Sequence, residues 1–174
     1  TLLFFPFIKP ISHLCQKIIT DRPDRHGPKF ALFLNPKLLS TPTLALEHVR
    51  EEIIRMAKIS QNLFEQSFNI FQSKSPSSRY LLKKEHQIDH LQGEITEYLV
   101  EIQQRALLEE EAMKIPCYIH CVNDIEKIGD YSEEILELAI KKQQLKLKFS
   151  KETTTGIIKI FHETTKLTEN IIKL

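Results

Sequence analysis

Six of the eight prolines in this chain fall at or before Pro42, and only Pro76 and Pro116 lie beyond it. Proline inside a helix costs about 3 kcal/mol and glycine about 1 kcal/mol relative to alanine. The chain has only 4 Gly in 174 residues and is rich in Leu, Ile, Glu and Lys. Few breakers among strong helix formers predict a mostly helical protein. The length suffices for one domain with a real core, or a small domain with an appendage.

The apolar residues set the helices. Ser40, Thr41 and Pro42 predict a helix start, with Ser or Thr capping the free amides and Pro in the first turn. A first helix is expected over about 42–71, with Leu46, Val49, Ile53, Met56, Ser60, Leu63 and Ser67 or Phe68 as its inner seam. After a loop at 73–78, a second helix is expected over about 79–114, with its seam on Leu81, Ile88, Leu91, Ile95, Tyr98 or Leu99, and Ile102. Pro116 is read as opening a third helix that runs to about 146, with Val122, Ile125, Ile128, Ser132, Ile135 and Ala139 facing inward. Ser150 is read as the cap of a fourth. The expected fold is all-α: an antiparallel three-helix bundle, a fourth helix behind it, and an apolar N-terminal helix in front. IIRMAKISQNLFE at 53–65 echoes IIKIFHETTKLTE at 157–169, so the fourth helix is expected to start a second copy of the bundle.

The first 19 residues carry Leu2, Leu3, Phe4, Phe5, Phe7, Ile8, Ile11, Leu14, Ile18 and Ile19, with Lys9 and Lys17 among them. Two readings stand: the inner end of a membrane helix, its lysines near the cytoplasmic surface, or an amphipathic helix packed on the domain. Residues 20–41 form a linker that includes Pro23, Gly27 and Pro28, with a short apolar run at 30–34 expected to dock on the body like a strand. The helical bundle is expected from 42 to 174. The first residue is Thr, so the chain is read as part of a longer protein, or as processed or trimmed. Three Cys without a scaffold pattern favour a reducing compartment, and a net charge of +1 gives no footprint for nucleic acid.

Two acidic pairs carry the chemistry. Glu85 and Asp89 are four residues apart on the second helix, and Glu126 and Asp130 four apart on the third. Residues at that spacing share a helix face. Four carboxylates brought together cannot all stay ionised without a cation. Oxygen-only ligands favour hard ions such as magnesium, manganese or oxidised iron. Asn123 is a lesser candidate, and Gly129, between the acids of the third helix, is expected where another helix comes close. The bland alternative is a solvated acidic face neighboured by Lys84 and Lys127. His86 and His90 could share a metal, but HQIDH lacks the Glu of a zinc-protease helix. Cys117, His120, Cys121 and Asp124 also fall at helical spacing, with small core thiols the commoner explanation. No phosphate-cradling loop, nucleophile elbow or dinucleotide fingerprint occurs, and no enzymatic activity is expected.

These residues resemble the PhoU family of phosphate-response regulators. Asn123, Glu126, Gly129 and Asp130 match a third-helix motif similar to N-x-x-E-R-x-G-D, with Lys127 in place of Arg. Glu85, Ile88, Asp89 and Leu91 match a second-helix motif similar to E-x-x-I-D-x-L. The resemblance implies two copies of a three-helix bundle whose E-x-x-x-D motifs hold metal: iron, manganese, magnesium or zinc. The segment order, with LLFFPF, a charged linker and NPKLLSTPTLAL leading into a bundle, resembles the C-terminal part of bacterial sodium/phosphate cotransporters. That implies a regulatory domain on the cytoplasmic side of the inner membrane, with the transporter's membrane part as partner and a homodimer as a further association. A free-standing regulator of the same family and a metal-free helical scaffold are the alternatives.

Overall fold

The computed structural model describes residues 30–73 and 79–173. The expected apolar helix at 1–19 and most of the linker lie outside the described residues. A 3-10 turn, Pro36–Ser40, leads into α1 (Pro42–Gln72), followed by α2 (Arg79–Gln103), α3 (Glu109–Gln144) and α4 (Lys151–Lys173). Among the described residues there are no strands, so the chain is all-α.

Pairwise contacts fix the directions. Gln92 meets Asn123, and Ile88 meets Gly129, so α2 and α3 run antiparallel. Thr43 bonds Glu111, Ser60 bonds the carbonyl of Ile125, and Lys142 bonds the carbonyl of Phe71, so α1 and α3 run parallel. This is the up-down-up bundle expected of short connections. Its core is drawn from all three helices: Val49, Met56 and Leu63 on α1, Ile88, Leu91, Ile95 and Leu99 on α2, and Ile115 and Val122 on α3 are essentially inaccessible. α4 stands apart. It reaches the bundle through Phe161, stacked on Phe68 at 3.7 Å and on Phe64 at 5.0 Å, and leaves Ile160 and Leu167 in solvent.

Three local expectations need correcting. α1 starts at Pro42, but the Thr41 side chain caps nothing; Ser40 bonds back to Lys37 instead. Pro116 lies inside α3 rather than at its start. α2 ends at Gln103, and α3 begins with Glu109, Glu110 and Glu111, acids that suit the positive end of a helix. The Glu111 carboxylate accepts from the Leu108 N–H and the Thr43 hydroxyl, bonds that lower its pKa and make up for a leucine at the cap position. Third, the seam of α3 is rotated. Val122, Gly129, Ser132, Leu136 and Ala139 are buried, while Ile125, Ile128 and Ile135 are half-buried. Val122, Ser132 and Ala139 are as expected, whereas the three isoleucines lie beside the buried line.

One predicted end is as read and one differs slightly. Ser150 accepts the Thr153 N–H at 3.1 Å and caps α4. α3 ends two residues earlier than expected, with Lys146 at φ 51° and paired backbone bonds from Lys146 to Gln143 and from Leu147 to Lys142. That is the left-handed close that glycine usually makes.

The run at 30–34 docks on the body, but not as a strand. Glu52, fully buried, accepts the Leu32 and Phe33 N–H groups at 2.9 and 2.8 Å and pairs with Arg55. Glu94 accepts the N–H groups of Phe30 and Ala31 at 3.1 and 2.7 Å. Arg55 donates to the Phe30 carbonyl at 2.7 Å, and Tyr98 to that of Asn35, also at 2.7 Å. The lead-in therefore satisfies its backbone on α1 and α2 side chains rather than on a neighbouring strand.

Candidate metal centre

The antiparallel α2–α3 pair puts both acidic motifs on one seam. Gly129 faces Ile88 across this contact. A Cβ there would meet Ile88 Cδ1 and Cγ2 at 3.4 Å, so the two helices close around Ile88 with no side chain between. The residues flanking Gly129 on α3 and Ile88 on α2 then project at the edge of the contact. Carboxylate oxygens of Glu85, Asp89 and Asp130 lie within 4.8 Å of one another. Asp89 and Asp130 are exposed and Glu85 half-buried, so the group opens to solvent.

The electrostatics of this group are one-sided. The Glu85 carboxyl is pushed up to about 7, first by burial, then by its hydrogen bond with Asp89 and the charges of Asp89, Glu133 and Asp130. Every one of those neighbours opposes ionisation. Glu126 is raised too, by burial and then by Asp130 and Asp89, with Lys127 opposing. Three converging carboxylates edged by two more offer only oxygen donors, the chemistry that hard cations take.

Not all predicted ligands join it. Glu126 stands outside the group of three, one turn from Asp130, close enough to feel its charge. Asn123 is farther along α3, its amide oxygen accepting from Gln92 at 3.0 Å. Glu133 escaped the sequence reading although its charge reaches Glu85. The signal was there: Glu126, Asp130 and Glu133 fall at i, i+4 and i+7. Cys117 and Cys121 are exposed rather than small core thiols. A cavity of about 220 Å³ between α1, α3 and α4 is lined by Phe68, Phe71, Phe149 and Ile157, with Lys142 over the Phe71 ring. It shares no residue with the acidic group.

Comparison with known proteins bears on this arrangement. The PhoU domain family matches residues 53–139, half of the chain, spanning both acidic motifs. The "Putative inorganic phosphate export protein YjbB" of Escherichia coli (strain K12) is 27% identical over 150 residues, covering 86% of this chain and 28% of that protein. The protein of the same name in Salmonella typhimurium is 25% identical over 152 residues, covering 87% and 28%. The chain thus spans less than a third of the length of the curated relatives it matches. No solved structure matches it.

Proposed function

This chain belongs to the PhoU domain family, and from that membership we propose that it is a metal-binding regulatory domain of a phosphate-transport protein. The observation that carries the metal is the convergence of Glu85, Asp89 and Asp130 across α2 and α3, with Glu85 held half-protonated near neutrality. The relatives' name supports phosphate as the transported species. The chain spans 28% of those relatives, and in this reading the transport path lies in the rest of such a protein while this domain regulates it.

Among the described residues no helix is long and apolar enough to cross a membrane. Attachment to a membrane part on the cytoplasmic side, coupling to sodium and a homodimeric state remain part of the proposal, resting on the segment order of the sequence. The rigid seat of the lead-in supports a regulatory role. Glu52 and Arg55 on α1, and Glu94 and Tyr98 on α2, hold residues 30–35 on the bundle. Glu85, Asp89 and Asp130 are the ligands, with Glu126 and Glu133 at the edge; magnesium, manganese and iron fit oxygen donors best, and zinc less well.

The test is thermal melting of wild type and Asp130→Asn, with chelator and with added manganese, iron or magnesium. Binding to the folded state stabilises it by about 2.7 kcal/mol at a hundredfold excess over Kd. Wild type is expected to gain melting temperature with a hard cation, and Asp130→Asn to lose most of that gain while its metal-free form is equally or more stable. If no hard cation raises the wild-type melting temperature, the metal-free scaffold is preferred.

A further inference from the structure

One pair of side chains near the acidic group is not used by it. His86 and His90 lie one turn apart on the exposed side of α2, and their Nε2 atoms face each other at 3.2 Å. The two nitrogens are within hydrogen-bond reach, with the donor set by the ring tautomers. The rings cross at 73° with centroids 4.3 Å apart. Nitrogens bonded to one ion at about 2.0–2.1 Å stand about 3.3 Å apart at the tetrahedral angle and about 2.9 Å apart at a right angle. The observed separation falls between those values. The nitrogens are thus already spaced for one ion, and a turn of the imidazole rings about their side-chain bonds aims both lone pairs at it.

We propose that His86 and His90 form a second metal site, a two-histidine chelate for a borderline divalent transition ion such as zinc, distinct from the carboxylate site for hard cations. Imidazole nitrogen suits zinc, copper and nickel, whereas the neighbouring oxygens suit magnesium and manganese, so ligand chemistry separates the two sites. Water completes the coordination on the exposed side. The site has a structural consequence because Phe30 lies on it. The Phe30 ring stacks on His90 at 5.0 Å and meets His86 edge-on at 6.5 Å. The backbone of Phe30 is held by Glu94 and Arg55. An ion between the two histidines fixes the surface on which the lead-in rests, so its occupancy tightens the docking of residues 30–35.

The experiment uses the full chain and two probes, zinc and manganese, followed by ¹⁵N resonances of the histidine rings and by amide hydrogen exchange. Zinc is expected to shift the Nε2 resonances of His86 and His90 together at one equivalent and to slow exchange at Phe30 and Ala31. His86→Gln and His90→Gln, both at exposed positions, are each expected to weaken that zinc site by about tenfold or more and to keep the metal-free melting temperature. Glu85→Gln and Asp130→Asn are expected to leave it within about twofold, which separates this site from the acidic one. Zinc that leaves both rings unshifted overturns the proposal, as does zinc binding that survives His90→Gln and disappears in Asp130→Asn.

Discussion

Two regions of this bundle are built from glutamates, and they are opposites. Where the lead-in docks, Glu52 and Glu94 are met by four backbone N–H groups, and Glu52 by Arg55 as well. Along the α2–α3 seam, Glu85 is met by Asp89, Asp130 and Glu133, and every one of them opposes its charge. The first region has a donor for each carboxylate; the second sets carboxylate against carboxylate. The same residue type is mortar in one place and an uncompensated acid in the other. The difference lies in what each side chain is offered, not in how buried it is. Glu52 is the most buried acid of the molecule's described part and the best provided for.

The contrast breaks most visibly when the same change is made on both sides. Glu52→Ala removes the acceptor of two N–H groups and leaves Arg55 without its ion partner, and losing one member of such a buried pair costs about 3 kcal/mol or more. The expected outcome in urea unfolding is a large fall in midpoint, accompanied by faster hydrogen exchange at Leu32 and Phe33. Asp130→Ala is expected to cost nothing in chelator, and to raise stability slightly by relieving Glu85. Equal losses at the two positions would erase the distinction between the regions.

A smaller effect sharpens the geometry that gathers the acids. At Gly129 a Cβ would sit in ordinary contact with Ile88, at 3.4 Å. Gly129→Ala should therefore be tolerated, and the gain in helix propensity is worth up to about 1 kcal/mol. Gly129→Leu must push α2 away from α3, an overpacking cost of about 1–3 kcal/mol. If the close approach is what brings Asp130 to Glu85 and Asp89, the leucine variant also loses its response to manganese, while the alanine variant keeps it. A leucine variant with normal stability and normal metal response would mean that the helices are not held by this contact.

The two regions also differed in how far the sequence revealed them. The acidic seam was legible because its residues repeat at helical spacing on two successive helices. Periodicity is a local property that a single chain displays. The same reasoning located the seams of α1 and α2 and the Ser150 cap. On α3 it placed Val122, Ser132, Ala139 and the close approach at Gly129, and erred in taking Ile125, Ile128 and Ile135 for the buried line, because apolar size marks burial in general and not which face meets the neighbouring helix. That the lead-in docks was legible, but its anchors were not. Glu52 reads as one more polar residue on α1, and its partners lie 19 and 20 positions away; those of Glu94 lie 63 and 64 away. Nothing periodic connects them. Pro116 misled for a different reason. A proline is a good sign of a helix start, but the acids at 109–111 are a better one when a carboxylate can reach back to the first amide, as Glu111 does.

The smallest expected effect is a dependence on pH that only the unsatisfied region should show. In the unfolded chain Glu85 titrates near its ordinary value of 4.5; in the folded chain it titrates at about 7. Between those values the folded state binds more protons than the unfolded one, so stability falls as pH rises across that window and levels off above it. Glu126, raised in the same direction, adds to the slope. Glu85 is open enough to solvent that screening leaves about 1 kcal/mol or less of the nominal effect. Metal reverses the sign. A cation displaces the shared protons, so its affinity climbs through the same window, and the loaded protein should grow more stable where the metal-free protein weakens. Melting in chelator at about pH 5 and about pH 8, against Glu85→Gln as reference, isolates the contribution. Wild type should lose stability relative to the variant on going to the higher pH, and saturating manganese should remove that loss in wild type. A difference between the two proteins that stays flat with pH would place Glu85 among acids already compensated, and the seam would then be no different in kind from the lead-in's glutamates.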